Sequence, residues 1–339
     1  MKSYFFPITE KLRLSKNVFA YHATVKAIKL ERDDVINITL QPSKNWKGFI
    51  SGQFIDIMYK IGSIFYTRTF SISSSLKEFK QDGTIQLSIQ IQKNGKVTPQ
   101  LLDGLKVDDI IGITEAKGDF ILQANQEKLL FIAGGTGITP FRAMLYQCID
   151  ENRDVDIIYS CKKGKHLFAD ELKRLNTSNI RVHFLTSDVD GRLNAEILKN
   201  KILDIEIRPI YICGPSAMIK DTIACIQEHQ LSNQEIYHEY FHATDVSNFV
   251  PTEKIDSKIE LNKKRIEINC DNQSTILETL EKNSIKPKHG CRMGLCKECT
   301  CTKLSGKVYN KLTQKISDNN TEDIQICISI PIGDVKINL

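Results

Sequence analysis

Between Ala23 and about Leu122 the chain alternates, with short runs such as "VINITLQP", "QFIDIMY" and "IQLSIQIQ" separated by Gly, Pro, Asp and Asn. A period of two marks half-buried strands, and many short strands with turn signals predict an antiparallel β-barrel or sandwich. The pattern changes at Lys128. Fully apolar runs, "KLLFIAGG", "VDIIYS", "RVHFL" and "PIYICGP", now alternate with amphipathic stretches of helical length near Thr139, near Ala169–Leu175 and on to about Glu228. Strands alternating with helices predict a parallel α/β sheet with crossovers. His242 to Ser257 keeps no period and contains Pro251, as a linker would. "KIELNKKRIEINC" then reads as a hairpin turning at Asn262–Lys264, and Thr275 followed by Glu278 is a capping-box signal for a short helix. The chain is therefore expected to be multidomain: 1–125, 126–243, a linker at 244–257, and 258–339.

That division suits 339 residues, since domains typically run to roughly 100–200 residues. The first twelve residues hold Pro7, Glu10 and Lys11, and the uncharged run Leu129–Phe141 is broken by Gly134, Gly135 and Gly137, so neither a signal peptide nor a membrane span is expected. A cytoplasmic protein without membrane insertion is the resulting expectation. The net charge of +5 is too small to imply nucleic acid. Most of it falls in Lys258–Leu339, which carries 14 Lys and Arg against 10 Asp and Glu and so favours an acidic partner.

Ten cysteines in a long chain without an export signal point to metal ligation or reduced thiols. Four of them crowd into "CRMGLCKECTC". A zinc site built on Cys296 and Cys299 would need a second close pair, which the sequence does not supply. Cys291, Cys296 and Cys299 instead have C-x4-C-x2-C spacing, with Cys327 in "IQICISIP" as a distant fourth. This is the plant-type [2Fe-2S] spacing, and Gly294 suits a loop that wraps closely around a cluster. Cys301 reads as a small buried residue. Lys258–Leu339 thus resembles a plant-type ferredoxin domain, of β-grasp fold, though Lys297 stands where many relatives have glycine.

A cluster takes one electron at a time, whereas NADPH or NADH gives two, and flavin is the usual converter. "YTRTFSISSS" offers Arg68 for a flavin phosphate, with Phe70 on the same strand face to stack on the ring and Ser71 to bond its edge. In "QKNGKVTPQL", Gly95, Lys96, Val97 and Thr98 can open a short helix toward a phosphate. After the next predicted strand, Gly134, Gly135 and Gly137 let a backbone approach a pyrophosphate at a helix start.

In this order the motifs resemble the ferredoxin–NADP reductase superfamily. The resemblance implies a flavin site at Arg68, Thr69, Phe70 and Ser71 with the later Gly95–Thr98 element, Phe70 replacing the family's tyrosine. It also implies a dinucleotide loop at Gly134, Gly135, Thr136, Gly137, Thr139 and Pro140. Cys213, Gly214 and Pro215 would form the nicotinamide pocket, with Glu239 and Phe241 closing it beside the flavin. Ser71 and Cys213 would flank the reacting rings. Lys162, Lys163 and Lys165, with no acid before Asp170, favour NADPH over NADH. The implied protein is a monomeric reductase using FAD rather than FMN. It would deliver electrons to a separate oxygenase, hydroxylase or membrane fatty-acid desaturase. A reductase of a hybrid-cluster protein and a redox sensor remain alternatives.

Overall fold

A computed structural model describes residues 21–61, 64–95, 97–241, 256–290, 292, 294, 297–311, 313 and 315–339. The chain forms two compact units, Met1–Phe241 and His242–Leu339.

The first unit opens with β1 (Tyr21–Arg32), β2 (Val35–Pro42), β3 (Phe54–Ile61), β4 (Ile64–Ser71), helix α1 (Leu76–Asp82), β5 (Ile85–Gln90), α2 (Thr98–Gly104) and β6 (Ile110–Ile113). The six strands order as β4-β3-β6-β1-β2-β5 with antiparallel pairing, and the bridge Ile72↔Leu87 joins the two edges into a barrel. Closure removes the edges that would otherwise template aggregation. Alternate residues, among them Val25, Ile38, Ile55, Ile57 and Leu87, fill the interior. Helix α1 escapes a periodicity search because it has only seven residues. Its Ser75 and Glu78 form a complete capping box, Gly83 ends it at φ 67°, and Phe79 meets Trp46 edge-on at 5.6 Å.

The α/β part runs β7 (Lys128–Gly134), α3 (Ile138–Asp150), β8 (Asp154–Cys161), α4 (Ala169–Leu175), β9 (Ile180–Thr186), α5 (Ala195–Lys201), β10 (Ile210–Gly214), α6 (Ser216–Glu228) and β11 (Ile236–Tyr240). Its sheet is wholly parallel, in the order β11-β10-β7-β8-β9. Helices cover both faces, which is why β7 and β10 read as continuous apolar runs. Phe120, from the end of the barrel segment, packs edge-on to Phe141 and Tyr211 at 5.7 Å, so barrel and sheet share a core.

The second unit contains β12 (Asp256–Leu261), β13 (Ile266–Asp271), α7 (Ile276–Lys282), β14 (Thr300–Ser305), β15 (Val308–Asn310), β16 (Lys315–Ile316), β17 (Glu322–Gln325), β18 (Ser329–Pro331) and β19 (Val335–Ile337). A mixed sheet β13-β12-β19-β14-β17 packs against α7, whose capping box is complete, and a small ladder β16-β15-β18 flanks it. Asp256 and Ser257 begin β12; the remainder of the expected linker lies outside the described residues. Lys303 is fully buried. Its ammonium donates to the carbonyls of Gly306, Asp318 and Asn320 at 2.9, 2.7 and 2.7 Å and pairs with Glu322, folding the excursion that leads to Cys327. Among the described residues no helix is long and apolar enough to cross a membrane.

Candidate functional site

From β7 the chain steps outward through β8 to β9, then returns to β10 and β11 on the other side. Loops leaving β7 and β10 at their carboxyl ends therefore part, and this switch point is where open α/β sheets bind nucleotides. Both loops are rich in glycine, for different reasons. A Cβ on Gly137 would lie 2.2 Å from the Cys213 carbonyl oxygen, and one on Gly134 would lie 2.9 Å from Pro215 Cδ. Gly137 lets the loops pack backbone to backbone, and Gly134 leaves room for the Met218 and Pro215 side chains. Gly135 faces open space at φ 57°, and it alone of the three has the freedom and the exposure that a phosphate cradle needs. The Tyr159 hydroxyl holds the Gly135 carbonyl at 3.0 Å, while Thr139 turns its hydroxyl back to the Thr136 carbonyl at 2.9 Å. Thr139 and Pro140 are buried.

Parallel pairing of β10 with β11 sets Cys213 beside Glu239. Ser71, at the end of β4, hydrogen-bonds the same carboxyl group, so a barrel residue meets two residues of the α/β sheet. Burial pushes Glu239 up to about 8, only partly offset by the Ser71 bond. Burial, reinforced by Glu239, raises the Cys213 thiol well above its ordinary range. Near neutral pH the trio is uncharged. Glu239 as a whole is partly exposed, but its Oε2 atom is shut from solvent and has no hydrogen-bond partner among the described residues. Such an orphan acceptor or donor is costly and fits a ligand that completes it. Phe241 packs against the α/β core nearby in the chain.

On β4, Arg68 and Phe70 share a strand face and are half-buried, leaving surface for a flat, charged ligand at the barrel rim. Thr69 points elsewhere: its hydroxyl bonds Asp56 at 2.6 Å, and Asp56 is buried against Lys117 at 2.9 Å. In the second barrel motif, Gly95 N–H donates to Gln92 O at 2.7 Å, Thr98 Oγ1 accepts from Gln92 N at 2.9 Å, and Val97 is buried. Those groups fold the loop, so its contribution to a phosphate would come from the backbone; Lys96 lies outside the described residues. Lys165 is engaged with the barrel, its ammonium 3.4 Å from Asp34 and its carbonyl accepting from Arg32. Lys162 and Lys163 are exposed.

In the second unit, Thr300↔Gln325 pairing brings Cys299, just before β14, alongside the stretch ending in Cys327. Ile326 N–H donates to the Cys299 carbonyl at 3.3 Å, and both cysteines are buried. Cys291 and Cys296 lie outside the described residues, and among the described residues no three metal-ligating side chains gather. The described residues of the intervening loop have an unusual backbone. Arg292, Gly294 and Lys297 are left-handed, at φ 59°, 75° and 57°, and a Cβ on Gly294 would come within 2.6 Å of Ile328. Glycine would adopt the left-handed φ of Lys297 without steric cost. Gln325 ties the loop through the Gly294 carbonyl at 2.8 Å, and Arg292 forks onto Glu281 at 2.9 and 2.6 Å. Cys301 lies within β14, and burial lifts its thiol to about 12.

The glycine geometry predicts opposite outcomes for two similar changes. Gly137→Ala should lower stability by about 3 kcal/mol, since neither backbone can yield; Gly135→Ala should cost about 1 kcal/mol yet weaken nucleotide binding, as read by urea unfolding and nucleotide titration. Unaltered nucleotide affinity in Gly135→Ala would remove the cradle role. For Glu239 the folded-state value lies above the ordinary 4.5. Stability of flavin-depleted protein should therefore fall as pH rises from 4.5 toward about 8 and level off above it. The slope is at most about 1.4 kcal/mol per pH unit, and Glu239→Gln should flatten it in melting curves taken across that range.

Three family models match in chain order: an oxidoreductase FAD-binding domain at residues 22–121, an oxidoreductase NAD-binding domain at 131–223, and a 2Fe-2S iron-sulfur cluster binding domain at 259–331. The chain is 26% identical over 299 residues to the carnitine monooxygenase reductase subunit of Acinetobacter pittii (strain PHEA-2), covering 85% of this chain and 91% of that protein. Phthalate dioxygenase reductase superposes with a TM-score of 0.67 at 20% identity, over 94% of this chain and 98% of that one. An intact type IV self-sufficient cytochrome P450 monooxygenase gives 0.71 at 20% identity over 94% of this chain, which spans 41% of that longer protein. At these identities the structures speak to fold. With its barrel, parallel sheet and C-terminal cysteine unit in the matching order, the chain belongs to the ferredoxin–NADP reductase superfamily, as an FAD-dependent NAD(P)H oxidoreductase that carries a 2Fe-2S ferredoxin domain.

Proposed function

We propose that the chain is the reductase component of an oxygenase system, a monomer that takes reducing equivalents from NAD(P)H and delivers single electrons to a separate oxygenase. The observation that carries this reading is the meeting of Ser71 with Glu239 and Cys213, because it joins the barrel rim to the nucleotide crevice. Bound FAD supplies the conversion from two-electron to one-electron chemistry, and a cluster on Cys291, Cys296, Cys299 and Cys327 supplies the one-electron exit.

The chain's own residues have four tasks. Arg68 and Phe70 bind and orient the flavin at the barrel rim, by charge and by stacking. Gly135, at the start of α3, receives the dinucleotide phosphates. Cys213, fully buried, keeps water from the nicotinamide side, and Glu239 holds a proton beside Ser71 up to about pH 8. The cysteines of the one-electron exit belong to the second compact unit.

The oxygenase acceptor is supported by relatives named as monooxygenase reductase subunits, which align along both units. NADPH as the preferred donor is supported by the exposed Lys162 and Lys163, since a 2′-phosphate wants cations. Lys165 lends less support because Asp34 engages it.

Cys327→Ser tests the path. The variant should lose iron, keep NAD(P)H-driven bleaching of its flavin, and reduce a protein one-electron acceptor at least about tenfold more slowly, the loss expected when a relay is removed. An undiminished rate with the protein acceptor would mean that electrons leave from the flavin.

A further inference from the structure

Helix α3 begins at the nucleotide loop, and five residues beyond Gly137 it carries an arginine inside an otherwise apolar face, "ITPFRAML". Arg142 is 7% exposed. Its Nη1 donates to the carbonyl of Ser73 at 2.7 Å and to Glu78 at 3.3 Å, its Nη2 to Glu78 at 3.1 Å, and its Nε to Glu171 at 2.8 Å. Tyr146 donates to the same Glu171 oxygen at 2.8 Å, and the Phe168 ring lies 5.3 Å from the guanidinium carbon. Ser73 and Glu78 belong to the barrel, Glu171 to the α/β part. The arginine thus spans the two.

What it grips on each side matters. Ser73 lies two residues past Ser71, and the intervening backbone is fixed by Ile72 N–H to Gln53 O and Ser73 N–H to Gln86 O, at 3.0 and 2.9 Å. Glu78 meanwhile closes the α1 capping box on Ser75 N at 2.7 Å, so its carboxylate cannot swing freely. At the other end of the same helical segment Gly137 abuts the Cys213 carbonyl. Five helical residues span about 7.5 Å, and a helix does not stretch. A rigid segment therefore has Cys213 at one end and the Ser71 strand end at the other.

We infer that Arg142 is a positioning residue that sets the separation between the flavin face, marked by Ser71, and the nicotinamide face, marked by Cys213. The inference rests on the reductase reading above. Another tie between the same parts, Arg32 and Asp34 with Lys165, starts from the β1–β2 turn and fixes neither residue. Lysine cannot replace the fork, because a single ammonium cannot hold the Ser73 carbonyl and both carboxylates in one plane.

The test compares wild-type, Arg142→Gln and Arg142→Lys holoproteins in anaerobic stopped-flow mixing with NADPH and with NADH. Three quantities are read: the limiting rate of flavin bleaching, the apparent nucleotide Kd, and the long-wavelength charge-transfer absorbance that reports nicotinamide stacked on flavin. Arg142→Gln should lower the limiting rate about tenfold or more and diminish the charge-transfer band, with Kd within about twofold, because misplacement by a fraction of an ångström acts on the reacting geometry and not on the phosphate grip. Arg142→Lys should fall between. A flavin-loaded Arg142→Gln with both rate and charge-transfer band within about twofold of wild type overturns the inference, as does a parallel loss of rate and affinity that lysine does not relieve. If the glutamine variant does not accumulate, Arg142→Lys decides alone, and wild-type values for it overturn the inference. Wild-type flavin that neither nucleotide bleaches would sink the reductase reading and this inference together.

Discussion

Gly137 lies so close to the Cys213 carbonyl that one methyl group would sit 2.2 Å from it. Everything else about the nucleotide crevice depends on that contact. It places the start of α3 against the end of β10, and so holds the two loops of the switch point in a fixed relation. β10 in turn sets Cys213 beside Glu239 through parallel register, and Glu239 reaches Ser71 on the barrel. A chain of contacts, backbone to backbone until its last link from Glu239 to Ser71, thereby ties the α/β sheet to the barrel.

Charge is distributed to suit. At the centre the thiol of Cys213 and the carboxyl of Glu239 are held neutral by burial. Ionised groups are displaced to the seam, where Arg142 is balanced by Glu78 and Glu171. Breaking a buried pair of this kind costs far more than forming it gains, which makes the seam a determinant of geometry more than of stability. In the second unit the same logic applies to Lys303, whose three carbonyl partners are spread over the excursion ahead of Cys327.

Much of this was legible in the chain. Alternation gave the barrel strands, and β2 coincides with "VINITLQP"; apolar runs gave the parallel strands; the S/T-x-x-E rule located α7. The same rule, applied at Ser75 and Glu78, would have located α1, whose seven residues carry no readable period. Individual roles were less visible. Three glycines in one motif look alike in sequence, yet Gly134 and Gly137 serve packing and Gly135 alone faces outward. Thr69 and Thr98 sit within ligand-like motifs but spend their hydroxyls on Asp56 and Gln92, because hydrogen-bond partners from other strands cannot be read along the chain. Arg142 left one clue, a cation within a buried helical stripe, whose meaning depends on barrel residues about 64 and 69 positions away.

The central claim is that one chain holds both a two-electron acceptor and a one-electron relay in series. Anaerobic titration of the purified protein with NADPH, followed in the visible spectrum, tests it most directly. Full reduction should require about 1.5 equivalents, with flavin absorbance near ~450 nm bleaching together with the broader cluster bands. A titration that ends at about one equivalent, with flavin bleached and no iron in the preparation, would contradict the account and leave "CRMGLCKEC" as a structural motif.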